Sequence, residues 1–375
     1  MSLQLPGSSS DGSDPRAVAE ALPTALGADE PILITTSGSS GVPKTVVLSA
    51  SALRASAKAT AARIGEGAWL LALPAGYVAG LQVLVRAQLA GMRPVYLEGP
   101  FAPDAFVAAA HELPGSASRY TSLVPAQLAT LVAAAEADRL VADGVRSFEA
   151  ILIGGQALPV PLRERAEALG FRIVRTYGST ETSGGCVYDG VPLDGVDVRV
   201  VAGELWIGGP TLADGYLGDD ALTTRTFPTD DDGTRRYRTG DLGSFERGVV
   251  RVEGRADNVI VSGGVNVSLD RVETVVRGVP GLEAAVVVGV ADERWGEASV
   301  IVVAPHQASA DGAGEDDALL AAARDSVATA VAPAARPARL ERRPVPYLPS
   351  GKPDRGALSA AVRAAAARST EGRSA

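Results

Sequence analysis

Short apolar runs alternate with alanine-rich stretches of helical period through the first half of the chain. Residues 31–36, 68–73, 94–97, 118–123, 150–153 and 172–176 have the length and apolar character of buried strands, and Gly or Pro bounds most of them. Helical spacing fits 49–64, where Ser49 can cap the first turn, and also 81–90, 103–111, 125–139 and 161–169. Strands that alternate with helices predict parallel βαβ units and an α/β fold with a layered core. Near Val187 the texture changes. The runs 196–201, 204–207 and 249–252 are brief and separated by Gly and Asp, which predicts an antiparallel, β-barrel-like subregion. After Gly254–Asn258 a last unit shows strands at 259–261, 284–290 and 298–303 and helices at 269–277 and 316–331. A polar loop covers 307–316, and the tail after Ala367 is expected to be disordered. Residues 1–30 hold a flexible start and one short helical pattern.

Length and charge narrow the classes. A chain of 375 residues suits two domains at roughly 100–200 residues each. The net charge of −9 argues against non-specific nucleic-acid binding, which needs basic surface to neutralise phosphates. Cys186 is the one cysteine, so no intrachain disulfide can form, and beside Gly184 and Gly185 it reads as a small filler. His111 and His306 are too far apart in sequence to suggest a histidine metal site or a serine–histidine triad. Residues 1–15 lack the basic and apolar regions of a signal peptide, and no run reaches the roughly 18 apolar residues of a membrane span. The expectation is a soluble, cytoplasmic protein that does not span a membrane.

The segment from Thr35 to Lys44 is the first candidate for chemistry. Small residues and hydroxyls (Thr35, Ser37, Gly38, Ser39, Ser40, Gly41) can converge N–H and O–H donors on an anion, and Lys44 adds a point charge. It is not a Walker A loop, because Val42 and Pro43 separate Gly41 from Lys44. On composition alone an ordinary strand–helix loop fits equally well.

Order along the chain decides between these readings. After that loop come Tyr177-Gly178-Ser179-Thr180-Glu181, then Tyr237-Arg238-Thr239-Gly240-Asp241, then Gly254-Arg255-Ala256-Asp257, then Pro349-Ser350-Gly351-Lys352. Over about 31–355 the chain resembles the adenylate-forming enzymes: acyl-CoA synthetases, luciferases and peptide-synthetase adenylation domains. The resemblance implies ATP and coenzyme A as co-substrates, a Mg²⁺ ion, and a small-molecule carboxylic acid as partner. It implies that the loop holds ATP phosphates with Lys44, that Tyr177 stacks on adenine beside Gly155, Gln156, Gly178 and Ser179, and that Thr180 meets the α-phosphate. Glu181 would bind the metal, a hard oxygen ligand for a hard cation. Asp241 would take the ribose hydroxyls, Arg255 ribose or phosphate, and Lys352 the charge that builds at the α-phosphate. Gly263 and Gly264 would line the path of coenzyme A. Gly208-Gly209-Pro210 and Gly215-Tyr216 would be structural. It further implies a large N-terminal domain over 1–254 and a small mobile C-terminal α+β domain over 255–375, with a hinge at Asp257. A homodimer is compatible with all of this.

Two features narrow the acid. The phosphate loop begins at residue 35, whereas typical relatives carry well over a hundred residues before it. The segments 71–86 and 122–128 resemble a branch of the family, the o-succinylbenzoate–CoA ligases of menaquinone biosynthesis, in shortened form. Tyr77, Gly80, Arg86, Val124 and Gly154 are then the acid-binding residues. Tyr77 stands where many relatives have His and cannot become cationic near neutral pH. Arg86 faces either a second carboxylate or solvent on the 81–90 helix. A CoA ligase for another aryl or short-chain acid, and a non-catalytic nucleotide-binding protein on the same fold, are the alternatives.

Overall fold

A computed structural model describes residues 3–5, 14–36, 43–292, 294–305, 312–348 and 353–371. By packing the chain divides into two units, Met1–Thr239 with Ser244–Arg251, and Gly240–Gly243 with Val252–Ala375.

The first unit opens with β1 (Leu3–Leu5), α1 (Pro15–Gly27), β2 (Ile32–Thr36) and β3 (Lys44–Leu48). β2 and β3 pair antiparallel from Ile32↔Leu48 to Thr36↔Lys44. The glycine loop therefore joins two strands of a hairpin, not a strand and a helix, and Lys44 is the first residue of β3. Residues 37–42, with Ser37, Gly38, Ser39, Ser40 and Gly41, lie outside the described residues. The βαβ pattern follows: α2 (Ala50–Ile64), β4 (Ala68–Leu71), α3 (Val78–Leu89), β5 (Val95–Tyr96), α4 (Pro103–Glu112), β6 (Arg119–Leu123), α5 (Pro125–Ala137), α6 (Arg139–Arg146), β7 (Ala150–Ile153), α7 (Val160–Ala168) and β8 (Ile173–Ser179). Then come β9 (Gly184–Tyr188) and β10 (Val191–Pro192).

These strands form a seven-stranded sheet in the order β10-β9-β8-β7-β6-β4-β5. Its central pairs are parallel and β8–β9 is antiparallel. β4 and β7 are buried along their whole length, as strands covered on both faces must be. Trp69 and Leu71 join the apolar cluster of α2, α3 and the β2–β3 hairpin, while Ala68 and Leu70 join that of α4 to α7. That split is the period-2 alternation of a strand.

The rest of the first unit adds β11 (Asp197–Val201), β12 (Glu204–Gly208), β13 (Gly215–Tyr216) and α8 (Asp220–Thr226). β13 completes the sheet β1-β2-β3-β13, and β11 and β12 join β14 (Arg236–Glu246) and β15 (Val249–Arg255) in a four-stranded sheet. The cut between the units runs through β14 and β15.

In the second unit β16 (Val259–Ser262) and β17 (Val265–Ser268) make a hairpin, followed by α9 (Leu269–Val276), β18 (Val286–Asp292), β19 (Gly296–Val303), α10 (Gly312–Ala330), β20 (Arg339–Arg342) and α11 (Arg355–Glu371). One apolar cluster gathers α9 and part of α10, and another holds Leu358 and Val362 of α11 against β18 and β19.

Several elements differ from the sequence pattern. β3 is not expected from it, and α10 starts at Gly312, inside the expected 307–316 loop and ahead of the expected 316–331 helix. The 125–139 helix stops at Ala137 because the Asp138 carboxylate accepts the Leu140 N–H and caps a new helix. α3 starts at Val78, three residues before the apolar run. α11 continues to Glu371, past the point where disorder is expected.

Candidate nucleotide and acid site

β4, β6, β7 and β8 run parallel, so the residues that follow them leave the sheet at one edge. These are Tyr77 after β4, Val124 after β6, Gly154 to Gln156 after β7, and Tyr177 to Glu181 at the end of β8. The carboxyl edge of parallel strands is where open α/β sheets bind ligands.

The end of β8 is shaped by close backbone approach. A Cβ on Gly178 would lie 2.1 Å from the Gly184 carbonyl oxygen, so only glycine fits. Ser179 to Thr182 then form a tight turn: the Ser179 N–H donates to the Thr182 hydroxyl at 2.9 Å, and that hydroxyl donates to Gly184 O at 2.7 Å. The turn aims Glu181 inward, where it is 5% exposed. Lys44 Nζ donates to Glu181 Oε1 at 2.6 Å and to the Tyr216 hydroxyl at 2.9 Å, and that hydroxyl donates to Glu181 Oε1 at 2.9 Å. Burial pushes the Glu181 pKa up, but the Lys44 ammonium and the Tyr216 hydroxyl more than offset it, and the carboxylate ends below its ordinary value. Burial and the Glu181 charge push the Tyr216 phenol well above its own. Tyr216, which the sequence pattern casts as structural, therefore belongs to the site. No sequence signal brings it to Lys44; the β13–β3 pairing does. The Thr35 hydroxyl bonds that of Thr45 at 3.1 Å across the hairpin.

Among the described residues no group of three His, Cys, Asp or Glu side chains could hold a metal. A single buried carboxylate already facing a cation suits a Mg²⁺ that takes most of its ligands from phosphates and water.

On the acid side, Tyr77 precedes α3 and is half-buried, and burial raises its phenol pKa. The Val124 N–H donates to Gln127 Oε1 at 3.0 Å. Gly80 and Gly154 are packing glycines: an added Cβ would meet Pro74 O at 2.2 Å and Thr176 Oγ1 at 2.4 Å respectively. Arg86 is not on the surface; it is 7% exposed. Val78, Gln82 and Arg86, spaced by four, share one face of α3. Gln82 donates to Ser183 O at 2.7 Å, and Arg86 Nη2 donates to the Tyr188 hydroxyl at 3.3 Å with its guanidinium 5.1 Å from the Trp69 ring centre. Arg86 Nε has no hydrogen-bond partner, and burial lowers the guanidinium pKa.

The second unit brings Asp241, Arg255 and Asp257 together. Arg255 grips Asp257 through Nε at 3.1 Å and Nη2 at 3.0 Å, and its Nη1 lies 3.4 Å from Asp241 Oδ1. Gly263 and Gly264, at φ 58° and 81°, are the two-residue turn of the β16–β17 hairpin, where positive φ at both positions matches the strand twist. A Cβ on Gly263 would touch the exposed Trp295 ring at 2.9 Å, a neighbour that sequence spacing does not reveal. Lys352 lies outside the described residues. No described helix is long and apolar enough to cross a membrane.

The AMP-binding enzyme family profile matches residues 4–217, and that of the AMP-binding enzyme C-terminal domain matches 271–352. A probable 2-succinylbenzoate–CoA ligase of Mycobacterium tuberculosis is 44% identical over 315 residues, 78% of this chain and 78% of that one. The 2-succinylbenzoate–CoA ligase of Escherichia coli is 32% identical over 287 residues, 74% of this chain and 59% of its own length. Among solved structures, the o-succinylbenzoate CoA synthetase (MenE) of Bacillus subtilis in complex with the acyl-adenylate intermediate OSB-AMP aligns with a TM-score of 0.72 at 26% identity, over 87% of this chain and 68% of that one. The same enzyme with ATP and magnesium ion gives 0.71 at 26% identity, over 87% and 69%. The chain belongs to the AMP-binding, adenylate-forming enzyme family.

Proposed function

We propose that the protein is an acid–thiol ligase that joins 2-succinylbenzoate to coenzyme A at the expense of ATP, a step of menaquinone biosynthesis in the cytoplasm. A substrate carboxylate oxygen attacks the α-phosphorus of ATP, the bond to the bridging oxygen breaks, and pyrophosphate leaves. The coenzyme A thiol then attacks the acyl carbon, AMP departs with the shared oxygen, and the thiol proton passes to solvent. Such chemistry needs positioning and charge neutralisation more than covalent help from the protein.

The roles divide along the chain. Thr35, Ser37, Gly38, Ser39, Ser40, Gly41 and Lys44 hold the outgoing pyrophosphate oxygens. Gly155, Gln156, Tyr177, Gly178 and Ser179 frame the adenine, and Thr180 donates to the α-phosphate. Asp241 and Arg255 take the ribose. Glu181 is the residue that would hold Mg²⁺, which supplies positive charge beside the phosphates when bound. Lys352 neutralises the α-phosphate as the acid attacks. Gly263 and Gly264 line the thiol path, and the C-terminal domain (255–375) turns about Asp257 relative to the N-terminal domain (1–254) between the two steps.

One observation carries the choice of acid: the buried Arg86 guanidinium has a neutral hydroxyl for its hydrogen-bond partner and an Nε with none. A buried charge without a counter-charge is costly, and a second substrate carboxylate would supply one. Arg86 lies about two turns along α3 from Tyr77, with its guanidinium over Trp69 near the start of β4. Gly80, Val124 and Gly154 shape the walls between.

A thioester assay with 2-succinylbenzoate, benzoate and acetate tests this reading. Turnover is expected with the first. Arg86→Met should cut its kcat/KM about 100-fold, the range for truncating one partner of a buried charge pair, and leave any benzoate turnover nearly unchanged. No product from 2-succinylbenzoate, with turnover of another acid, would overturn the substrate and leave the class intact.

A further inference from the structure

Tyr216 is bound to both charged residues of the strand-edge site. β13 pairs with β3 so that Tyr216 faces Val46, two positions from Lys44 on the same side of the strand. The Lys44 ammonium lies 4.5 Å from the centre of the Tyr216 ring. The phenol accepts from Lys44 Nζ and donates to Glu181 Oε1, the same oxygen that Lys44 holds. Its own position is fixed: the Tyr216 N–H donates to the Thr223 hydroxyl at 2.9 Å, a Cβ on Gly215 would meet Thr223 at 2.4 Å, and Phe227 packs at 5.9 Å between ring centroids.

We propose that Tyr216 is a positioning residue that keeps Glu181 aimed at the metal–nucleotide complex while Lys44 changes partners. The proposal rests on the reading of Glu181 as the metal ligand. Without nucleotide, Lys44 neutralises Glu181. An arriving phosphate draws the ammonium away, and Oε1 then loses the shorter of its two side-chain bonds. The Tyr216 hydroxyl retains the other, so the carboxylate keeps its direction and its second oxygen is free for a cation. A phenylalanine would keep the ring beneath Lys44 and lose the hydroxyl, which holds Glu181 and accepts from Lys44.

The test is equilibrium binding on the full chain, by calorimetry with ATP in EDTA and with Mn²⁺·ATP, and by electron paramagnetic resonance of free Mn²⁺. The ratio of the two ATP affinities reports what Glu181 contributes. Tyr216→Phe should weaken Mn²⁺·ATP binding about tenfold, as loss of a charge-assisted hydrogen bond does, with little change for ATP in EDTA. Its KM for ATP should rise, while its KM for coenzyme A with supplied acyl-AMP stays unchanged. Lys44→Met leaves the Tyr216–Glu181 bond in place, so it should weaken ATP in both conditions and preserve the ratio. Collapse of the ratio in Lys44→Met would overturn the proposal even if Tyr216→Phe failed to fold. Equal losses in both conditions for Tyr216→Phe, or none, would overturn it too. Glu181→Gln separates the two readings: an unchanged ratio there means that Glu181 is not the metal ligand. A ratio lost in Glu181→Gln but kept in Tyr216→Phe removes only the role of Tyr216.

Discussion

Lys44 and Glu181 lie 137 positions apart, and their 2.6 Å contact makes one site of two motif residues. Each is individually legible in the sequence, as a lysine closing a glycine-rich segment and as a glutamate after Tyr-Gly-Ser-Thr. Their pairing is not, because it depends on β3 packing beside the turn after β8. Cys186 is the opposite case, since its reading as a small filler needs only its neighbours. The residue is fully buried, and burial pushes its thiol pKa from 9.0 up to about 12. The native chain at pH 8 should therefore not react with a maleimide, and one equivalent should add after denaturation; rapid native labelling would contradict the buried, protonated thiol. Because the folded pKa is raised, the stability this group contributes is complete below pH 9.0 and is lost as the pH climbs toward about 12.

At the scale of elements, the βαβ order was readable because buried parallel strands and alanine-rich helices have distinct periods. What escaped the pattern was set by single polar residues or by pairing. Asp138 ends one helix by capping the next, and β3 was hidden because Lys44 and Thr45 interrupt its apolar run while β2 and β13 pair with it on either side. α3 begins early because Gly80 lets its first turn press on the β4–α3 connection. Gly80→Ala would place a Cβ 2.2 Å from the Pro74 carbonyl oxygen, so the helix start must shift. Urea unfolding should read a loss of about 1–3 kcal/mol, the usual cost of overpacking. The KM for the acid should rise with it, because Tyr77 sits at that start, while the KM for ATP should not. A variant with parent stability and parent KM values would show that the turn yields freely and does not set the acid site.

For the whole molecule the question is which group of residues serves which half-reaction. The second unit holds Asp241, Arg255 and Asp257 in one hydrogen-bonded set, whereas the sequence pattern, with its boundary at 254–255, leaves Asp241 in the N-terminal domain. The division by packing cuts continuous strands: the middle of β14 and the last residues of β15 fall in the second unit. The described residues that flank 349–352 pair within the same unit. Tyr347 bridges to Pro353, the Asp354 N–H donates to Pro346 O at 2.8 Å, and Arg355 forks onto Glu273 at 2.7 and 2.8 Å. If that unit serves adenylation in one orientation and thiol transfer in another, the lysine matters only in the first. Lys352→Ala should slow pyrophosphate release by about 10²–10³-fold, the scale of a lost electrostatic group at the reacting phosphate. It should leave thioester formation from supplied acyl-AMP and coenzyme A within about twofold of the parent, since no charge then builds where the ammonium acts. The two rates, measured separately on one preparation, decide the matter: equal losses in both would mean that Lys352 supports the unit as a whole and that the division of labour is wrong.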